Sequence, residues 1–130
     1  MYPNLLGIGS QRCGSSSTYG YLNQHPHVHA NTFRKETHYF DWRYGRKTKE
    51  WYQGIFPNQQ QGHYAWEFTP GYLWYPATPQ RIATDIGLDS NIKFLVVLRD
   101  PVDRAYSHWN RGTFVKRDTL SFEDALKNEE

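Results

Sequence analysis

Between the apolar run Leu5 to Ile8 and a following helical segment sits the turn Gln11-Arg12-Cys13-Gly14-Ser15-Ser16-Ser17, small and polar apart from one guanidinium. A strand that breaks into glycine and serine and restarts as a helix makes a seat for an anion. The first backbone N–H groups of the helix have no partner within it, and the helix dipole is positive at that end. The pattern GxxxxGK[ST] is absent, so the turn does not encode the usual triphosphate cradle. A second feature of this kind follows Leu98. Arg99 stands at the carboxyl end of an apolar run, and Ser107 lies about two turns along the next helix. Open α/β sheets collect ligands at the carboxyl ends of their strands, so Arg99 and Ser107 suit a second anion site. The same residues also suit a surface on which Arg99 pairs with Asp100 or Asp103. Taken together, the two junctions point to a ligand with phosphates at two separated places.

The elements that must position these residues alternate. Leu5 to Ile8 reads as a buried strand, and the helix after the turn runs from about Ser16 to Gln24, where His25-Pro26 ends it. Val28 to Ala30 is a short strand, and Phe33 to Gly62 is irregular apart from a helical stretch near Glu50 to Ile55. Tyr64 to Phe68 is another strand. Thr78 as N-cap with Pro79 behind it opens a helix that presents Ile82, Ala83 and Ile86 on one face and stops at Gly87. The nearly continuous apolar run Ile92 to Leu98 predicts a central parallel strand covered on both faces. Asp100-Pro101 caps the next helix, with Val102, Ala105, Tyr106 and Trp109 on a core face and Arg104, Ser107 and Arg111 opposite. Ser121 and Asp124 open a last helix in SFEDALK. Strands alternating with helices predict a three-layer α/β/α fold with a mostly parallel sheet.

Composition narrows the function classes. The 130 residues suit one small domain or part of a larger one, and are few for a complete doubly wound sheet. A net charge of +2 is too small to argue for nucleic acid, so any basic site is local. The single cysteine, Cys13, excludes an internal disulfide, and it reads as small packing in the turn rather than as a nucleophile. No run approaches the ~20 apolar residues of a membrane span, so no membrane segment is expected within the chain. Aromatic residues make up 17% of the sequence and concentrate in its middle, at Trp42, Tyr44, Trp51, Tyr52, Tyr72, Trp74 and Tyr75. These serve either as core or as a stacking surface for sugar rings or an apolar acceptor.

Four ordered segments, the opening turn, KETHYFDW, EFTPGYL and FLVVLRDPVDRAYSHW, together resemble sulfotransferases that use 3′-phosphoadenosine 5′-phosphosulfate. The likeness is strongest to the heparan sulfate branch and its bacterial relatives, and it implies a P-loop-like sulfotransferase fold. It implies that Arg12, Cys13, Gly14, Ser15, Ser16 and Ser17 form the loop around the donor's 5′-phosphosulfate. Arg12, where the family more often has Lys, would neutralise charge on the leaving oxygen. Arg99 and Ser107 match the pair that holds the 3′-phosphate. Glu36 matches the general base, with Lys35 beside it contacting donor or acceptor and His38 as a secondary base. An ion pair of Glu36 with Lys35 or Arg34 at the surface is the plainer alternative. Phe68 stands where the heparan sulfate branch commonly has Lys, which argues against a polyanionic acceptor.

The resemblance further implies in-line transfer of a sulfuryl group to a hydroxyl or amine of a carbohydrate or small molecule, with no metal required. In the family the chain continues with further helices and a basic loop, so residues 1–130 are expected to be the N-terminal donor-binding portion of a sulfotransferase domain. Shortening of the sheet would leave apolar surface exposed. A bacterial source implies the cytoplasm, and a eukaryotic glycan sulfotransferase the Golgi lumen. Two other readings stand beside this one. A P-loop phosphoryl-transfer enzyme shares the strand–loop–helix logic but lacks its lysine here. A non-catalytic nucleotide-binding module needs only the anion sites.

Overall fold

The computed structural model describes residues 1–58, 60–87 and 91–128; Glu129 and Glu130, which close the expected domain, lie outside them. Four strands form one sheet in the order β2-β3-β1-β4, with β1 at Leu5–Gly9, β2 at Val28–Ala30, β3 at Tyr64–Phe68 and β4 at Lys93–Val96. Every pairing is parallel, so every connection is a crossover, and each of the three contains a helix. These are α1 at Ser15–Leu22, α2 at Lys49–Gly54 and α3 at Thr78–Asp85, with α4 at Pro101–Phe114 and α5 at Phe122–Lys127 after the last strand. A single 3-10 turn, Pro70–Leu73, follows β3.

Strand β1 lies between β3 and β4, and backbones and side chains press close on it. A Cβ added at Gly7 would come within 2.3 Å of the Phe68 ring, and one at Gly9 within 2.6 Å of the Leu73 side chain. Glycine is therefore required at both places by lack of space. The core lies on the β3 side of β1, where Leu6, Phe40, Tyr52, Trp66 and Phe68 are wholly buried. Tyr39 stacks on Tyr52 with ring centroids 4.1 Å apart, and Phe40 meets Tyr52 edge-on. Such pairs add about 0.5–1.5 kcal/mol each beyond the area they bury. The segment read as irregular, 33–62, thus supplies much of the core, because aromatic residues too few to show a period still fill a volume.

Three local expectations are corrected. The Ile92 to Leu98 run is not a central strand: among the described residues β4 pairs only with β1, stands at the sheet edge, and leaves Phe94 and Val96 exposed. An apolar run reports burial only when the topology supplies neighbours on both sides. For the same reason the expected core face of α4 is not core, since Val102 is 69% and Tyr106 52% exposed, while Trp109 packs against Phe122 of α5. Thr78 is the first residue of α3 rather than its cap; the cap is Ala77, and the Thr78 hydroxyl donates to the Phe40 carbonyl at 3.5 Å. By contrast Asp100 caps α4 as read, its carboxylate accepting from the N–H groups of Val102 and Asp103. Ser121 caps α5 through the N–H of Asp124.

Candidate functional site

The β1–α1 turn opens at the carboxyl edge of the sheet where strand order reverses, between β1 and β4. The two strands stay joined into the turn, with Ser10 N–H donating to the Val97 carbonyl at 2.9 Å and Val97 N–H to that of Gly9 at 2.8 Å. Two residues of the turn are left-handed, Arg12 at φ 63° and Gly14 at φ 87°. A Cβ at Gly14 would meet open space, so its backbone angle is the reason for glycine. The reversal delivers Ser15, Ser16 and Ser17 as the first turn of α1, whose leading N–H groups face outward along the helix axis.

Lys35 joins this turn to the next functional segment. Its ammonium donates to Ser15 Oγ at 3.0 Å, Ser16 Oγ at 3.1 Å and Glu36 Oε1 at 3.2 Å, and it lies 5.6 Å above the Phe68 ring. The ion pair weighed as a plain surface contact therefore exists, and the same ammonium ties it to the glycine-serine turn. The other Glu36 oxygen, Oε2, is 3.4 Å from His38 Nε2, and His38 Nδ1 is 2.8 Å from Asp41 Oδ2. Contact with His38 holds the Glu36 carboxyl below its ordinary pKa, partly offset by burial and reinforced by Lys35. Burial opposes a charge on His38, but its bonds to Asp41 and Glu36 prevail and push its pKa up to about 9. An imidazolium with a carboxylate on each nitrogen has no lone pair to accept a proton, so His38 acts as a cation near neutral pH. Its left-handed backbone, φ 54°, is a further sign that the segment is tightly held.

The second predicted pair arrives from β4 and α4. Arg12 Nε donates to Ser107 Oγ at 3.1 Å, and Arg99 Nη1 to the Arg12 carbonyl at 3.4 Å. The two anion places read from the sequence thus adjoin, with the Arg12 side chain spanning them. A cleft of about 420 Å³ runs between the turn and α4, lined among others by Arg12, Ser15, Ser16, Lys35, Glu36 and Arg111. A larger one of about 560 Å³ continues from it past Gln11 and His108 toward Trp74, Trp109 and Phe122. Cys13 is buried, its thiol toward the Gln11 carbonyl at 3.5 Å, as a packing residue would be.

Two contributors escaped the sequence reading. Asp41, which orients His38, is signalled only by the i, i+3 spacing of HYFD. Arg117, which also lines the smaller cleft, lies beyond α4 in a stretch with no pattern. Among the aromatic residues Tyr52 and Tyr72 are core, whereas Trp74 is 67% and Trp42 45% exposed. Among the described residues no helix is long and apolar enough to cross a membrane.

Comparison with known proteins agrees with this geometry. The family model for the sulfotransferase domain matches residues 3–129. The chain is 33% identical over 121 residues to the mouse (Mus musculus) heparan sulfate glucosamine 3-O-sulfotransferase 3A1, covering 93% of this chain and 29% of that protein. It is 32% identical over 111 residues to the membrane-associated sulfotransferase kil1 of Dictyostelium discoideum, covering 83% of this chain and 22% of that protein. The crystal structure of a sulfotransferase from Alicyclobacillus acidocaldarius superposes with a TM-score of 0.81 at 30% identity, over 99% of this chain and 57% of that one. The chain therefore spans less than a third of the length of the first of these relatives. A parallel α/β sheet, a glycine-serine turn at its point of strand reversal and a match over nearly every residue agree: the chain belongs to the sulfotransferase-domain family.

Proposed function

We propose that this chain is the donor-binding portion of a sulfotransferase that moves a sulfuryl group from 3′-phosphoadenosine 5′-phosphosulfate to a hydroxyl or amine of a carbohydrate or small molecule. The support is Lys35, which bonds at once to the anion turn through Ser15 and Ser16 and to the carboxylate of Glu36, so that a cationic cradle and a base face one cleft. The residues suit the donor. The first N–H groups of α1, with Arg12 and Lys35, offer donors and positive charge for a 5′-phosphosulfate, and Arg99 with Ser107 offers the same for a 3′-phosphate.

The donor supplies the sulfuryl group. An oxygen or nitrogen of the acceptor forms a bond to its sulfur as the bond from sulfur to the phosphate oxygen breaks. Glu36, ionised at neutral pH by its contacts with His38 and Lys35, takes the acceptor's proton on a carboxylate oxygen. Arg12 and Lys35 balance the negative charge that grows on the departing phosphate oxygen. His38, charged between Glu36 and Asp41, orients the base. The exposed faces of Trp42 and Trp74 suit a sugar ring.

Calorimetric titration with 3′-phosphoadenosine 5′-phosphate, set beside ADP, tests donor recognition. The expected result is tighter binding of the 3′-phosphorylated nucleotide, with the preference lost in Arg99→Ala. Equal affinity for the two nucleotides, or a preference for ADP, overturns the reading. Transfer of radiolabelled sulfate over an acceptor panel then tests the enzyme itself, with Glu36→Gln as the inactive control.

A further inference from the structure

We propose that Glu67 is a positioning residue for sulfuryl transfer, holding the backbone of residues 37–40 and through it the carboxylate of Glu36. This inference rests on the reading of Glu36 as the base. Glu67 is wholly buried at the end of β3, where a strand in a parallel sheet ordinarily carries an apolar side chain. Its carboxyl group accepts four hydrogen bonds. Thr37 N–H and the Thr69 hydroxyl reach Oε2 at 3.1 and 2.6 Å, and the hydroxyls of Tyr52 and Tyr72 reach Oε1 at 2.6 and 3.0 Å.

Two of these donors, and a third hydroxyl beside them, pass the hold onward. The Thr69 oxygen accepts from His38 N–H at 3.4 Å, the Tyr72 oxygen from Phe40 N–H at 3.2 Å, and the Thr37 hydroxyl, itself 3.1 Å from Tyr72 Oη, from Tyr39 N–H at 3.2 Å. The N–H groups of four consecutive residues therefore end, directly or through one hydroxyl or two, on one carboxyl group. Those residues make no regular secondary structure and include the left-handed His38, so no helix or strand ladder fixes them. Glu36 is the residue immediately before them, and His38 lies among them. Burial raises the Glu67 pKa, and the bonds from Thr69, Tyr52 and Thr37 work against that rise. Such a group costs stability when buried and is useful only where its bonds are needed.

Glutamine is the informative replacement. Four donors converge on the carboxyl group, and an amide offers only one acceptor oxygen, its NH₂ facing donors on the other side. Glu67→Gln is thus expected to release one side of the network while keeping the volume. Three measurements on the full chain read the result: calorimetric affinity for 3′-phosphoadenosine 5′-phosphate, the split of kcat from donor KM in sulfate transfer, and the titration of His38 by NMR. The expected outcome is donor affinity near that of the unaltered chain, kcat lower by roughly 10²-fold, as a displacement of about 1 Å of a reacting group produces, and a lower His38 midpoint. Thr69→Val, which removes one donor to Oε2 and the acceptor for His38 N–H, should give the same pattern more weakly if the glutamine variant fails to fold. Unchanged kcat and His38 titration in a folded variant overturn the proposal. So does a loss of nucleotide affinity equal to the loss of kcat, which would mark a general structural role. If the unaltered chain neither prefers the 3′-phosphorylated nucleotide nor transfers sulfate, the donor reading fails instead, while the His38 titration still reports whether Glu67 holds the segment.

Discussion

The two sides of strand β1 carry the site in different ways. On the β3 side, Lys35, Glu36 and His38 sit against a closed core in which Thr37, Phe40, Trp66, Glu67 and Phe68 are wholly buried, and the backbone that bears them is tied to a buried carboxyl group. On the β4 side, Arg99 lies just beyond the edge strand and Ser107 on a helix with no buried residue, and both reach the turn through Arg12. The proposed chemistry thus rests on the well-packed side, and the proposed 3′-phosphate recognition on the exposed one. The difference teaches that order on the two sides has separate sources: burial on one, and on the other a few polar contacts that a bound phosphate would strengthen.

The largest test falls on the packed side. Glu36→Gln should lower the rate of sulfate transfer by about 10²–10⁴-fold while leaving nucleotide affinity nearly unchanged, as steady-state kinetics beside calorimetry would show. If affinity fell with the rate, the division between chemistry and donor binding would be lost. Next in size, Phe40→Ala should cost about 3–5 kcal/mol in urea unfolding, since it removes a fully buried ring from the aromatic cluster.

On the exposed side, Arg99→Ala should weaken binding of the 3′-phosphorylated nucleotide by about 1.5–3 kcal/mol, the range for a bond to a charged group. Its melting temperature should stay that of the unaltered chain. A smaller effect concerns pH. His38 has a folded pKa of about 9 against an ordinary 6.5, so its stabilising charge is fully present below 6.5 and is lost as pH rises through about 9. The shift corresponds to about 3 kcal/mol before solvent screening of the partly exposed ring, so with that screening stability should fall over the window by roughly 1–2 kcal/mol, and His38→Gln should flatten the profile in melts recorded across it. The smallest change is expected for Val102→Ala on the exposed face of α4, within about 0.5 kcal/mol. A cost like that of Phe40→Ala would mean that α4 is packed after all, and would break the contrast between the two sides.

Much of the frame is legible in the residues. Tyr64–Phe68 forms the strand that its length and aromatic content predict, and the caps at Asp100 and Ser121 close on the N–H groups their chemistry requires. The turn from Gln11 to Ser17 takes the left-handed glycine and helix start that its glycine and serines predict, because those residues carry that property locally. Legibility ends where a residue's role depends on a distant neighbour. Glu67 looks like one polar position in a short strand; Thr69 and Tyr72 follow it closely, but only the fold brings Tyr52 and Thr37, 15 and 30 positions away, onto the same carboxyl group. The run Ile92 to Leu98 misleads for the converse reason: its composition suits burial on two faces, yet its place at the sheet edge gives it a strand neighbour on one side.

What the chain determines alone is what short-range sterics and hydrogen bonding decide: the alternation of strand and helix, the left-handed glycine before α1, the capping of α4 and α5, and the kinds of charge available. Only the tertiary structure decides that Lys35 reaches across to Ser15 and Ser16, that Arg12 bridges to Ser107, and that a carboxyl group in β3 holds the segment after Glu36. Those contacts join residues 19 to 95 positions apart. The reason is the range of the forces: a backbone torsion answers to its immediate neighbours, whereas a hydrogen bond between side chains exists only after sheet order and packing have brought its two ends together.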